Sequence, residues 1–324
     1  MNIPFGRRAA LALPFVPALA AAQGAWAPDG PVRFIQGFAP GGTTDIVARL
    51  LAPHLAEALG QPVVVENRPG AGGTIASNTL AHATPDGRTM MLLNNAHAVT
   101  AATFRRLPYD PVADVTPVTQ VATMGLVFLT QADGPIRSVA DLIAAARARP
   151  DAINLGTVGV GLTRHLVSEA FKALAGVRLT HVPYRGTPDL IVALRQGQVQ
   201  LVVETVAATL GQVRAGEVRA IALSTAGRFS GLPDVPTMQE AGVAGFDLAT
   251  WFTIAFQAGV PAGAVARVHA ATRAALERPE LRGRLQELGL TPIGSSPEEA
   301  TAIIRRDITR WRELVASAGI PQQD

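Results

Sequence analysis

The sequence predicts an α/β protein whose two halves face a shared cleft. Three observations predict it. Short runs of β-branched and apolar residues alternate with stretches whose apolar positions recur at helical spacing, the pattern of largely parallel sheets covered by helices. Glycine-rich segments leave strand-like runs and lead straight into helical ones, near the N-terminus and again in mid-chain. The chain has 324 residues, 48% hydrophobic and 16% charged, which suits one large or two ordinary domains and is too apolar for intrinsic disorder.

Met1 to Arg8 carries two positive charges and no acid, and Ala9 to Ala22 is apolar and ends in small residues. That order is a secretory signal. Cleavage is expected after Ala22, with residue 27 as the latest site, since cleavage there leaves Pro28 at the new N-terminus. The stretch is too short to anchor in a hydrocarbon core of about 30 Å, and Pro14 and Pro17 interrupt it. The mature protein is therefore expected in the periplasm. Arg7-Arg8 leaves the export route, general or twin-arginine, open.

Val32 to Ile35 reads as the first strand. Thr44 to Leu59 follows as a helix with Ile46, Val47, Leu50, Leu51, Leu55 and Leu59 at helical spacing, and Gly60 closes it. Pro62 to Glu66 is a strand, Thr74 to His82 a helix, Pro85-Asp86-Gly87 a turn and Met90 to Leu93 a strand, which completes a βαβαβ unit. A second unit runs through a strand at Gly125 to Thr130, a helix at Ser138 to Arg149 and a strand at Ile153 to Leu155. Ser138 and Asp141 stand at capping-box spacing. A helix at Thr163 to Leu174 comes next, then strands at Arg178 to Val182, Val199 to Glu204 and Val218 to Ser224, with a helix at Pro188 to Arg195. The C-terminal part returns to helices at Gly263 to Leu276, Glu280 to Leu288 and Pro297 to Ala318. Ser296-Pro297-Glu298-Glu299 opens the last of them, with proline at the first helical position.

Composition removes several classes of function. Zero cysteine excludes disulfide scaffolds, thiolate metal sites and a cysteine nucleophile. The net charge of +3 includes Arg7 and Arg8, and without them 26 bases face 25 acids. The arginines are scattered and no basic stripe is interleaved with aromatics, so no nucleic-acid partner is expected. Gly70-x-Gly72 and Gly159-x-Gly161 lack the third glycine of a dinucleotide fingerprint, Lys172 has no phosphate-loop context, and there is no G-x-S-x-G elbow. The histidines, His54, His82, His97, His165, His181 and His269, contain no i,i+4 pair. No metal or cofactor is expected, and His54 and His165 read as packing or capping groups. Asp189 and Glu204 are carboxylates without an evident acid–base partner.

What remains is anion binding. Gly37-Phe38-Ala39-Pro40-Gly41-Gly42-Thr43-Thr44-Asp45 joins a strand to an amphipathic helix. Gly41 and Gly42 allow close approach to the backbone, and the first helical turn presents free amides with the positive end of the dipole behind them, worth about 0.3–2 kcal/mol. The bland alternative is a tight connection with Thr43 or Thr44 as N-cap and Asp45 merely favouring the dipole. Thr157-Val158-Gly159-Val160-Gly161-Leu162-Thr163 repeats the arrangement in the second unit, and Pro69 to Thr74 adds a third loop. Backbone donors without general bases suit a small carboxylate that is held and not transformed.

Phe38 to Asp45 with Ala48-Arg49, then Leu59 to Gly73, Thr84-Pro85-Asp86-Gly87, Leu107 to Pro111, His165-Leu166, His181 to Gly186, Leu232 to Thr237 and Glu240-Ala241-Gly242 occur in this order. With Pro297-Glu298-Glu299, Trp311 and Ala318-Gly319-Ile320, they resemble the Bug (TctC-like) family, the substrate-binding proteins of tripartite tricarboxylate transporters. The resemblance implies a two-lobed type II periplasmic binding protein fold with the ligand in the interlobe cleft. One lobe would comprise 28–123 and 247–324, the other 124–246. It implies that Phe38, Ala39, Gly41, Gly42, Thr43 and Asp45 grip a ligand carboxylate together with Thr157, Gly159, Gly161 and Leu162. Asn95, Ala96, Tyr184, Glu204 and Thr205 would line the rest. The chain departs from the family pattern at Leu162, where a small hydroxyl residue is usual, at Glu204, where aspartate is commoner, and at Ala193, where an acid is usual. The expected protein is a monomeric, non-enzymatic solute receptor that passes a small organic carboxylate to membrane transporter subunits. A periplasmic sensor component binding the same ligand is not separable from it by sequence. A hydrolase or a transcription-factor effector domain is opposed by the missing nucleophile elbow, the missing DNA-binding unit and the leader.

Overall fold

A computed structural model describes residues 26–158, 163–184, 186–317 and 319–323. The expected leader at 1–22 lies outside the described residues, as do Gly159, Gly161 and Leu162.

The chain begins with strand β1 (Val32–Gln36) and helix α1 (Thr43–Leu59). Val47, Leu51, Leu55 and Leu59 form the buried stripe of α1, and Gly60 ends it in the left-handed region at φ 72°. Strand β2 (Val63–Asn67), a 3₁₀ turn at Ala71–Gly73, helix α2 (Thr74–Ala81) and strand β3 (Thr89–Asn94) follow. β1 pairs in parallel with both β2 and β3, as the βαβαβ reading requires. The N-cap of α1 is Gly42, with no side-chain cap, so the alternative of a cap by Thr43 or Thr44 does not hold. The Thr44 hydroxyl instead accepts from Asn94 Nδ2 at 3.0 Å.

Helix α3 (Ala96–Thr103) leads to β4 (Val115–Gln131), the strand that both halves of the sheet share. Beyond it come α4 (Val139–Ala148), β5 (Asn154–Val158), α5 (Thr163–Ala175), β6 (Thr180–Tyr184), α6 (Thr187–Arg195), β7 (Leu201–Thr205), α7 (Val206–Arg214) and β8 (Val218–Leu223). The chain returns through β9 (Ala249–Gln257), α8 (Ala262–Glu277), α9 (Pro279–Glu287), β10 (Leu290–Pro292) and α10 (Pro297–Ser317). From Val115 to Gly125, β4 pairs antiparallel with β9; from Leu126 onward it pairs antiparallel with β7 and β8. β5 pairs in parallel with β6 and β7, giving the path β2-β1-β3-β9-β4-β7-β5-β6.

The sequence reading lacks the first half of β4, α3, α7, β9 and β10, and the first three of these have identifiable reasons. The first half of β4 holds Pro117, which normally demotes a strand; the register shifts between Pro117 and Thr119 and accommodates it. α7 starts on the residue after β7, so no turn residue separates the strand from the helix. α3 is short and buried at seven of its eight residues, so no apolar–polar period marks it.

Three apolar clusters hold the fold. One joins α1, α8 and α9 to the first half of the sheet, and one packs α6 on the second half. The third crosses between them, carrying Trp251, Phe128, Phe171, Phe246 and the buried face of α10. Trp251 Nε1 donates to the buried Asp307 carboxylate of α10 at 2.7 Å. At its C-terminal end, β1 runs into Gly37, where a Cβ would sit 2.8 Å from Gly73 Cα. Backbone meets backbone there, so no side chain can move aside. Gly37→Ala is expected to cost about 1–3 kcal/mol, read as a lower urea midpoint at unchanged m. An unchanged midpoint would mean that the two loops do not touch in solution.

Candidate functional site

The ends of β1, β3 and β7, the start of β9 and the middle of β4 open on a cleft of about 240 Å³. One wall is the loop into α1. Gln36, fully buried, accepts from Phe38 N–H and donates to Phe38 C=O, both at 2.8 Å. Asn67 donates to Phe38 C=O and to the Asp45 carboxylate. Gly41, at φ +80°, donates its N–H to Asp45 Oδ2 at 2.9 Å. The loop is thus fastened by side chains behind it, and Phe38, Gly42, Thr43 and Thr44 face the cleft. The first-turn amides of α1 have no intrahelical carbonyl to bond, and no side chain caps them.

The opposite wall starts at α5. Thr163 and Arg164 line the cleft, and Arg164 is the only charged residue among the described lining. Its Nε donates to Glu204, whose side chain is fully buried. Glu204 also accepts from Thr187 Oγ1 and from its neighbour Thr205 N–H, both at 2.7 Å. Asn95 bridges the walls, with its Nδ2 donating to Thr163 Oγ1 at 3.2 Å. Met124 and Leu126 of β4, with Thr250 and Phe252 of β9, form a mostly apolar floor.

Of the residues expected at the site, Phe38, Gly42, Thr43, Asn95, Ala96 and Thr205 line the cleft. Ala39 and Gly41 are exposed beside it and shape the turn. The Ala96 amide is occupied by Asn94 Oδ1 at 3.0 Å. Asp45 is turned inward to Gly41, Arg49 and Asn67. Thr157 is buried within β5, and the Tyr184 ring packs toward Gly156. Glu204 stands behind Arg164 and does not line the cleft. Arg164 itself was missed by sequence reasoning. One signal could have found it: an arginine in a first helical turn opposes the helix dipole, so it calls for an acid partner or an anionic ligand.

The chain resembles known proteins over nearly its whole length. The family model described as "Tripartite tricarboxylate transporter family receptor" matches residues 47–320. BugT of Bordetella pertussis is 33% identical over 90% of this chain and 90% of its own length. Among solved structures, R. palustris Rpa4515 with adipate is 36% identical, with a TM-score of 0.77 and coverage of 91% of this chain and 99% of that one. MatC (Rpa3494) from Rhodopseudomonas palustris with bound malate is 33% identical, with a TM-score of 0.73 and coverage of 89% and 99%.

The electrostatics of the first wall turn on Asp45. Burial works against its ionisation, but the Arg49 guanidinium, the Gly41 amide and Asn67 outweigh it and hold the carboxyl at about 2, below its ordinary 3.8. A depressed folded-state value means stability that is complete above the ordinary value and lost as pH falls toward about 2. Asp45→Asn is expected to lower stability at pH 7 by about 1–2 kcal/mol, mainly through the Gly41 and Asn67 bonds because Arg49 is half exposed and screened. Urea titrations from pH 7 to 2 should show that loss shrinking between pH 4 and 2. A variant whose deficit is the same at both ends would show that the carboxylate charge does not hold the loop.

Proposed function

The chain belongs to the tripartite tricarboxylate transporter family of receptors (TctC), and on that footing we propose that its cleft captures a small organic carboxylate between two lobes. Members of this family are periplasmic substrate-binding proteins, not enzymes. Carried to this chain, the reading is a periplasmic receptor, freed of a leader at 1–22, that delivers its ligand to membrane transporter subunits. The lobes are 28–123 with 247–324, and 124–246. No described helix is long and apolar enough to cross a membrane.

One observation carries the reading. The uncapped start of α1 and the Arg164 guanidinium line one small cleft whose described lining holds no acid. Both attract a carboxylate, the first by free amides and dipole, the second by charge-assisted bonds. A volume of about 240 Å³ suits an organic acid of a few carbons and is below the usual range for drug-sized ligands. The described lining contains no His, Asp, Glu, Lys or Cys, so nothing in it is placed to move a proton. The adipate and malate of the related structures set the first probes. The contacts expected at Gly159, Gly161 and Leu162 fall outside the described residues.

The test is calorimetric titration of ligand-free protein with adipate, malate, succinate, acetate and an amino acid. At least one dicarboxylate is expected to bind, and to bind more tightly than acetate. Arg164→Gln should weaken it about 10–100-fold, the loss of one or two charge-assisted bonds. No heat with any acid would overturn the carboxylate reading. Full affinity in Arg164→Gln would remove Arg164 from the site.

A further inference from the structure

Next to Arg164, outside the cleft lining, three potential ligand side chains converge. His165 and Glu169 stand four residues apart and so share one face of α5. His181 approaches from β6. The two imidazole rings lie 4.5 Å apart, centre to centre, at 76°. Glu169 Oε1 is 2.6 Å from His181 Nε2 and 3.8 Å from His165 Nε2. One donor atom from each residue lies within 4.8 Å of the other two.

From this convergence we propose that His165, Glu169 and His181 form a binding site for a divalent cation of the zinc class, distinct from the carboxylate cleft. The donor set is two imidazoles and a carboxylate, which a borderline ion accepts with a fourth position left open. Bonds of about 2.0–2.1 Å hold ligand atoms about 3.3 Å apart in a tetrahedron, so small rotations of these side chains close the site. The side chains are 13–18% exposed, which shields the site from water yet leaves a way in. Nδ1 of His181 is buried without a hydrogen-bond partner, while its Nε2 lies against the Glu169 oxygen; a buried polar atom like Nδ1 calls for a partner.

One group opposes the cation. Lys172, the single lysine of the chain, places Nζ 2.8 Å from the same Glu169 oxygen. Its ammonium fills part of the positive charge that a metal would bring, and it is partly exposed on a flexible stem that can swing outward. The site would tie the first turns of α5 to β6, which pairs only with β5 among the described strands. A search for paired histidines on one helix misses it, because the helix supplies one histidine and one glutamate while the second histidine comes from a strand.

The experiment treats the full protein with a chelator, removes the chelator, and titrates with Zn²⁺ by calorimetry and with Co²⁺ by visible absorption. One equivalent of zinc and d–d bands of a nitrogen-containing, low-coordinate cobalt site are expected. His181→Gln and Glu169→Gln should each weaken zinc at least tenfold, and Lys172→Gln should strengthen it. Binding should weaken as pH falls, since protons compete with the ion for its ligands. If the wild type takes up no zinc at micromolar concentration, the proposal is overturned. It is equally overturned if uptake is unchanged in both variants, which would place the ion elsewhere. Should either variant fail to fold, the cobalt spectrum of the wild type decides: absence of the bands rules the site out.

Discussion

A carboxylate sealed from water organises the second wall of the cleft. Glu204 is fully buried, and an unpaired charge in that position would cost several kcal/mol. Its demands are met by Arg164 at the start of α5, Thr187 at the start of α6 and the amide of Thr205 at the start of α7. One side chain therefore fixes the N-terminal ends of three helices. Negative charge is favourable at each of those ends. It also compensates an arginine that a bare helix N-terminus would repel. Arg164 stands in the cleft because Glu204 holds it from behind.

The first wall repeats this logic with a different carboxylate. Asp45 is satisfied by Gly41, Asn67 and Arg49, and Gln36 clamps Phe38 from below. Both internal acids are consumed in shaping the walls, and neither faces the cleft. A ligand acid therefore meets donors on both sides with no carboxylate to repel it. The same consumption explains why the cleft suits holding better than reacting. A general base must have a lone pair within reach of the substrate, and these two spend theirs on the scaffold.

The fold was largely legible because its signals are local. The periodicity of Val47, Leu51 and Leu55, the glycine at position 60 and the strand runs flanking them announced the first unit. The capping box at Ser296 and Glu299 formed as spaced, with reciprocal bonds of 2.8 and 3.2 Å. The long strand β4 was half-legible, since Pro117 hides its first half behind a rule that a register shift relaxes. The site was less legible than the fold. Phe38, Gly42 and Thr43 announce themselves by sitting between a strand and a helix. Glu204 and Asp45 carry the right chemistry in sequence but the wrong role, because only the fold reveals whether an acid points at a ligand or at its own scaffold. Arg164 and Thr163 follow the glycine loop directly, yet a loop reading stops where the helix begins.

What makes such a cleft a receptor is the coupling of its two walls. The halves of the sheet share β4, whose pairing changes from β9 to β7 and β8 around Gly125 and Leu126. α10 spans the join by packing against β4, α3 and α5. Across the opening itself, among the described residues, Asn95 and Thr163 make a neutral hydrogen bond, worth about 1 kcal/mol net. Such a bond by itself is too little to commit the walls to one arrangement. A ligand that touches only the α1 end binds an open or a closed cleft equally and shifts nothing between them. A ligand that reaches both the α1 amides and Arg164 gains its second contact only when the walls are close, so its binding favours closure. Reach between the two donor groups is thus the property that the proposed receptor would read.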